Sequence, residues 1–113
     1  MKFDWGYMRR GWVSCKKAGQ ALNDHQSELA VLIDAKKETI KGDGAWELVS
    51  AAEKIYIASG KKILEFAPTT ENKDAIMKKM LGRTGNLRAP AIRRGSIFFI
   101  GFNEQMYSQE LFT

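Results

Sequence analysis

The sequence contains a single cysteine, Cys15, and a single histidine, His25, among its 113 residues. One thiol excludes an internal disulfide, and one thiol with one imidazole argues against a zinc site, which needs three or four ligands. No segment reaches the roughly 18 consecutive apolar residues of a membrane helix, and the first residues lack the apolar core of a signal peptide. We therefore expect a cytoplasmic protein without a metal site or membrane contact, in which the thiol stays reduced.

Size and charge are those of an ordinary globular domain. Lys and Arg outnumber Asp and Glu by 18 to 13, which gives a formal net charge of +5. A chain of this length buries enough surface to fold without disulfides or a metal. No repeat, low-complexity tract or linker divides it, so residues 1–113 are expected to form a single domain. A solvated surface accounts for the positive charge, and direct contact with nucleic acid is not expected.

Hydrophobic periodicity in the first part of the chain predicts a strand, a helix and a second strand. Residues 3–7 alternate between apolar and other side chains, which is typical of a β-strand. Ser14 is the expected N-cap of a helix that runs to about His25, and the apolar run 29–33 is the expected second strand. Because a crossover of this length returns the chain in the same direction, the two strands should be parallel.

The rest of the chain predicts more helix, a hairpin and a closing helix. Apolar residues recur at helical spacing from Trp46 to about Ser59, and Gly60 is the expected C-cap. The other predicted elements are an extended segment at 63–66, a helix over 71–81, strands over 91–93 and 96–100 joined through Arg94 and Gly95, and a last helix capped by Asn103. This order predicts an α/β fold in which helices flank a mixed β-sheet.

Three stretches form the most specific patterns in the sequence. They are the turn GWVSCKK at 11–17, the segment NLRAPAIR at 86–93 and the segment IGFNEQMY at 100–107. Each resembles a segment of the ArsC family of arsenate reductase- and Spx-related proteins. The first is similar to that family's Cys-x-x-Cys-Lys-Lys turn, the second to the region of its cis-proline, and the third to the opening of its last helix. With 33–37 and 60–63, the resemblance covers nearly the whole chain.

The resemblance implies a thioredoxin-like fold of the glutaredoxin and ArsC type, and a thiol- or selenol-dependent oxidoreductase acting on a disulfide or an oxyanion. In such a turn the first sulfur attacks and the second resolves the mixed disulfide, so Trp12 would occupy the attacking position and Cys15 the resolving one. Glutathione or thioredoxin would be the reductant, with no bound cofactor, and the partner would be that reductant or a protein disulfide. The substrate-binding residues would be Pro90, as the cis-proline, with Ala89, Arg88 and Arg93.

Two departures from the family pattern limit what carries over. Indole has no nucleophilic sulfur, so the chain with Trp12 is expected to be inactive or nearly so. Arsenate reductases of this family have an arginine immediately before the proline. Because Arg88 is one place earlier, its side chain should point to the other face of an extended segment, which weakens the case for arsenate.

Three interpretations of Trp12 remain open. Some ArsC-like proteins carry selenocysteine at this position, and its codon UGA differs by one base from the tryptophan codon UGG, so Trp12 would then stand where selenocysteine belongs. The second is a natural loss of the redox centre. The third is an exposed binding residue in a non-catalytic module, as in the Spx-like regulators that bind RNA polymerase. Without the resemblance, Cys15 is equally interpreted as a small, partly buried helix residue.

Overall fold

A mixed β-sheet of six strands forms the centre of the computed structural model, which describes residues 1–113. The strands are β1 (Lys2–Phe3), β2 (Trp5–Met8), β3 (Glu28–Leu29), β4 (Leu32–Asp34), β5 (Lys54–Ser59), β6 (Lys62–Phe66), β7 (Ala91–Arg94) and β8 (Ile97–Ile100). The helices are α1 (Val13–Asp24), α2 (Gly42–Ser50), α3 (Lys73–Met80) and α4 (Glu104–Met106), which continues into a π-helical segment at Tyr107–Leu111. The chain is therefore an α/β domain, as the sequence predicts.

The strand order of the main sheet is β4-β2-β7-β8-β5-β6. Strand β2 is parallel to β4, and β5 is parallel to β8, whereas the other three neighbouring pairs are antiparallel. The short strands β1 and β3 form a separate parallel pair. As a result the carboxyl ends of β2, β4, β5 and β8 lie at one end of the sheet, together with the start of β7.

Alternation along the strands divides the core between the two faces of the sheet. On one face Ile55, Ile57 and Ile100 pack with α2 and α3. On the other face Tyr56 and Phe99 pack with α1 and the C-terminal helix. Each face thus buries its own apolar cluster, and the two helix layers hold the sheet between them.

Several predicted elements are confirmed. The first strand, helix and second strand form a parallel unit, although each predicted strand is split in two, with a break at Asp4 in the first. Strands β7 and β8 form the predicted hairpin, and α3 lies within 71–81. Asn103 caps α4, since its Oδ1 accepts a hydrogen bond from the Met106 N–H at 2.9 Å.

The prediction of a helix from Trp46 to Ser59 is wrong in its second half. Helix α2 ends at Ser50, and Lys54–Ser59 forms β5, a strand with neighbours on both sides. A central strand buries both faces, so its continuous apolar run does not alternate and imitates one side of a helix. Gly60 is accordingly no helix cap. It adopts φ +60° in the turn of the β5–β6 hairpin.

The predicted N-cap of α1 is also wrong. The helix begins two residues before the position expected from Ser14, and its N-cap is Trp12, which offers no side-chain hydrogen bond. The Trp12 carbonyl instead accepts the first helical bond, from the Lys16 N–H at 2.9 Å.

None of the helices combines the length and the apolar character that a membrane crossing requires.

Candidate functional site

The turn between β2 and α1 lies at the end of the sheet where the carboxyl ends of the parallel strands meet. Gly11 adopts φ +91°, a conformation that favours glycine, and this directs the chain from the strand into the helix. The Trp12 N–H donates to the Arg9 carbonyl at 3.3 Å, which closes the turn. In open α/β sheets the carboxyl end of the strands is the usual place for a ligand site.

Cys15 lies in the first turn of α1 with its thiol turned inward. The residue is 8% exposed and belongs to the apolar cluster that also contains Ala89 and Ala91. Its Sγ accepts a hydrogen bond from the Arg9 N–H at 3.2 Å. Burial raises the pKa of the Cys15 thiol, and the hydrogen bond from Arg9 opposes that rise in part. The neutral thiol is therefore the resting form of Cys15.

Trp12 presents its side chain to solvent from the same helical turn. It is 47% exposed, and the guanidinium carbon of Arg9 lies 4.7 Å from its ring centroid, a cation–π contact. Residues three apart on a helix are surface neighbours, with Cβ atoms about 5–6 Å apart. The turn thus places an exposed position beside a buried thiol, with a positive charge over the exposed position.

A cavity of about 390 Å³ opens next to Cys15, between the start of α1 and β4. Met8 and Leu32 supply its apolar wall, and Arg9, Arg10 and Lys16 supply its positive charge. Asp34 is the one acidic residue in the lining, and its Oδ1 accepts a hydrogen bond from the Lys36 N–H at 2.9 Å. The site is therefore an apolar recess with a basic rim.

Pro90 and Ala89 lie at the same end of the sheet as the turn between β2 and α1. The Ala89–Pro90 peptide bond is cis, and β7 starts at the next residue, Ala91, which pairs with Tyr7 at the end of β2. Both Ala89 and Pro90 are buried, and the Pro90 carbonyl accepts a hydrogen bond from the Gly101 N–H at 2.8 Å. The structure therefore places Pro90 at the end of β2 from which the Cys15 turn begins.

Arg88 is near this end of the sheet but is held by backbone carbonyls. Its Nη1 donates to the Ala58 carbonyl at 2.9 Å and to the Lys79 carbonyl at 3.1 Å. Burial lowers the pKa of the Arg88 guanidinium, and the two carbonyls satisfy part of its hydrogen-bonding capacity. Arg88 thus joins β5 to the end of α3, and no contact directs it to the cavity at Cys15.

Arg93 lies at the far end of β7, and the structure does not bring it to Cys15. It pairs with Trp5, and its Nη1 donates to the Gly95 carbonyl at 2.8 Å in the β7–β8 turn. Strand β7 leads away from Pro90, and three residues of strand span about 10 Å. The substrate set expected from the sequence is therefore only partly assembled, with Pro90 and Ala89 near Cys15 and Arg93 remote.

The functional residues that the sequence argument missed are Arg9, Arg10 and Leu32. The two arginines directly precede the motif at Gly11, so their position beside the turn was a usable signal. Leu32 reaches the cavity only because β4 pairs with β2 in a register that sets Leu32 opposite Gly6. That register depends on contacts distant in sequence, so no local pattern indicates it.

Asn86 fixes the loop that leads to Pro90. Its Oδ1 accepts from the Ile40 N–H at 2.8 Å, and its Nδ2 donates to the Tyr7 hydroxyl at 3.2 Å. The Tyr7 hydroxyl in turn donates to the Glu38 carbonyl at 2.6 Å. One amide therefore ties two loops to the end of β2.

Asn86→Ala is expected to lower the free energy of unfolding by about 2 kcal/mol, because it leaves the Ile40 N–H without an acceptor and removes one of the two hydrogen bonds of the Tyr7 hydroxyl. Urea unfolding followed by circular dichroism measures the change. Asn23→Ala is the matched control, since Asn23 is exposed on α1 and its side chain makes no hydrogen bond. Equal losses in the two variants would contradict the role given to Asn86.

Cys15 is expected to react with iodoacetamide more slowly in the folded protein than in the chain unfolded by urea. Its pKa is raised on folding, so the thiolate forms only at higher pH, and burial limits access. By the same linkage, the folded state keeps its thiol proton where the unfolded chain has lost it, so stability falls as pH rises above the pKa of an ordinary thiol. Intact mass measures alkylation directly, because the chain has one cysteine. Equal rates at every pH would refute this assignment.

No protein-family model, curated protein or solved structure matches the chain. The structure brings together no group of three or more His, Cys, Asp and Glu side chains that could hold a metal ion.

Proposed function

We propose that this chain is a thioredoxin-like redox domain of the ArsC type, in which residue 12 is natively cysteine or selenocysteine. The observation that carries the proposal is the exposed position 12 beside the buried thiol of Cys15 in the first turn of α1. This is the geometry that a Cys-x-x-Cys turn requires, with an accessible attacking atom and a protected resolving thiol.

The topology supports the same proposal. A parallel strand-helix-strand unit followed by an antiparallel hairpin and a closing helix is the order expected of a thioredoxin-like domain. Strands β4, β2, β7 and β8, with α1 and α4, follow that order, and β5 and β6 extend the sheet beyond β8. Pro90, immediately before β7, occupies the place expected for the cis-proline.

The electrostatics of the turn suit the two roles. The Arg9 guanidinium over position 12 would stabilise an anionic sulfur or selenium there, as would the N-terminus of α1. Burial raises the pKa of Cys15 and so favours its neutral thiol until the mixed disulfide forms at position 12. The attacking and resolving atoms are thereby distinguished by their surroundings.

The reaction follows from these roles. The thiolate or selenolate at position 12 attacks one sulfur of a substrate disulfide, breaks the S–S bond and releases one thiolate, which takes a proton. Cys15 then attacks position 12 as a thiolate, giving up its proton, and releases the second substrate thiol. The bond now joining positions 12 and 15 is reduced by two electrons and two protons, which come from two molecules of glutathione or from one thioredoxin-type dithiol, a reductant of the cytoplasm. No bound cofactor is required.

The codon for residue 12 in the source gene tests whether tryptophan is native. UGA followed by an RNA stem-loop that directs selenocysteine insertion would support a selenol enzyme. UGG would refute the native redox centre and leave the binding function described next.

A second candidate function is a non-catalytic binding module, and the exposure of Trp12 together with that of Val13 favours it. Tryptophans are frequent anchors of protein interfaces. In this interpretation the partner is RNA polymerase, as for the Spx-like proteins that the sequence resembles. Binding of the chain to purified RNA polymerase, abolished by Trp12→Ala and retained by Trp46→Phe, would support this function. Equal binding by both variants, or none by the parent, would exclude it.

A further inference from the structure

We propose that the free edge of β4 binds an extended acidic segment of a partner protein, which adds to the sheet as a further strand beside the cavity at Cys15. The binding itself depends on β4 and its surroundings alone. Only the subsequent step, presentation of a disulfide in that segment to position 12, rests on the proposed redox function.

The outer side of β4 faces no other strand, because β4 is the end strand of the sheet, and on that side only the Asp34 carbonyl is occupied, by the Lys37 and Glu38 N–H groups at 3.0 and 2.9 Å. The Val31 carbonyl accepts from the Gly6 N–H, and the Ala35 N–H donates to the Met8 carbonyl, both at 2.8 Å. In a parallel pair alternate residues direct their polar groups to the neighbour, so the N–H and C=O of Leu32 face outward. Such groups are a template for an added strand.

The side chains of Val31 and Leu32 at this edge are apolar and accessible, and Asp34, which ends β4, is exposed as well. Leu32 is 60% exposed, and Val31 beside it is also exposed. Leu32 and the half-buried Met8 form one wall of the cavity next to Cys15. A strand lying along β4 would therefore cover exposed apolar surface and direct every second side chain toward this recess.

Charge determines the kind of segment that fits. Arg9, Arg10 and Lys16 surround the cavity and outnumber its single acidic residue, Asp34. Lys36 and Lys37 lie two and three residues after the end of β4. A segment with acidic side chains alternating with apolar ones would pair with this rim and cover Leu32.

Other occupants fit less well. A second copy of the chain, with the same net charge of +5, would bring the two basic rims together at its own β4. Nucleic acid would meet the basic rim, but no aromatic side chain lines the cavity to stack a base, and it would leave the Leu32 backbone groups unpaired. The surface therefore favours a protein strand.

The test measures binding by fluorescence anisotropy, using the chain as it stands and a labelled synthetic peptide of alternating valine and glutamate. We expect saturable binding that weakens with added salt. Two further peptides carry backbone N-methyl groups at alternate residues, one on every valine and the other on every glutamate. One of these two N-methylated registers should bind at least about tenfold more weakly, since its methylated backbone cannot pair with Leu32. The double variant Arg10→Glu, Lys16→Glu should show a similar loss.

The matched control is the double variant Lys61→Glu, Lys62→Glu. These residues lie at the β5–β6 turn, and β6 is the outer strand at the end of the strand order opposite β4, so this variant should bind like the parent. Three results would overturn the proposal. They are equal affinity for both N-methylated registers, equal affinity for a valine–lysine peptide, and displacement of the peptide by a lower concentration of a single-stranded oligonucleotide. None of them would affect the gain of reductase activity expected when a thiol is restored at position 12, so the two proposals fail independently.

Discussion

Trp12→Cys is expected to raise the rate at which the chain reduces a disulfide by roughly 100-fold or more over the parent. The substitution puts a thiol at the exposed position of the turn, at the N-terminus of α1, and we expect it to lie near the Arg9 guanidinium that contacts the Trp12 ring in the parent. Both features favour the nucleophilic thiolate. The buried thiol of Cys15 then resolves the mixed disulfide. Reduction of a small aromatic disulfide in the presence of excess dithiothreitol, corrected for the uncatalysed rate, measures the gain.

The controls separate turnover from simple thiol exchange. Trp12→Cys combined with Cys15→Ser should form the mixed disulfide once and lose most turnover. Trp46→Cys places a thiol on α2, where the residue three places further along is Val49 and not a cysteine, and should give no gain. A Trp12→Cys variant no more active than Trp46→Cys would exclude the redox function and favour the binding module.

Gly101→Ala is expected to destabilise the fold by about 3 kcal/mol, from strain and overpacking together. Gly101 adopts φ +83°, and a Cβ there would lie 2.8 Å from Nη2 of Arg88 and 3.1 Å from the Ala58 Cβ. Because Arg88 is anchored on the Ala58 and Lys79 carbonyls, it cannot move aside without losing those bonds. Urea unfolding measures the loss.

Gly19→Ala is the matched control for that substitution. Gly19 lies inside α1, and a Cβ there would meet no atom within 4 Å. Alanine has the higher helix propensity, so this variant should be more stable than the parent by about 0.5–1 kcal/mol. Two substitutions of the same chemistry would thus act in opposite directions. A Gly101→Ala variant as stable as the parent would contradict the described packing of Arg88.

Local patterns predicted those elements that have a turn signal or a one-sided apolar face. The β7–β8 hairpin was predicted from its turn at Arg94 and Gly95, and α3 has a clear apolar side at Ile76 and Met80. Strand β5 was assigned to a helix because its side chains are buried on both faces of the sheet, Ile55 and Ile57 in one apolar cluster and Tyr56 and Ala58 in the other. The pattern of a segment buried on all sides does not distinguish a strand from a helix.

In the candidate site, too, the local sequence predicted the neighbours within one turn but not the contacts made by distant segments. Cys15 and Trp12 share one short turn, so their spacing alone predicts that they are neighbours on the helix. Arg93 was grouped with Pro90 because it is close in sequence, yet the direction of β7 carries it to the opposite end of the strand. Leu32 joins the cavity through strand pairing, which the local sequence does not encode.

The measurement that tests the central claim most directly is the oxidation state of Trp12→Cys after mild treatment with oxidised glutathione. We predict a monomer whose intact mass falls by two hydrogen atoms, with neither thiol alkylated by iodoacetamide and both alkylated after dithiothreitol, because positions 12 and 15 lie within one helical turn. A chain that keeps two free thiols, or that carries glutathione on position 12 without releasing it, would contradict the account.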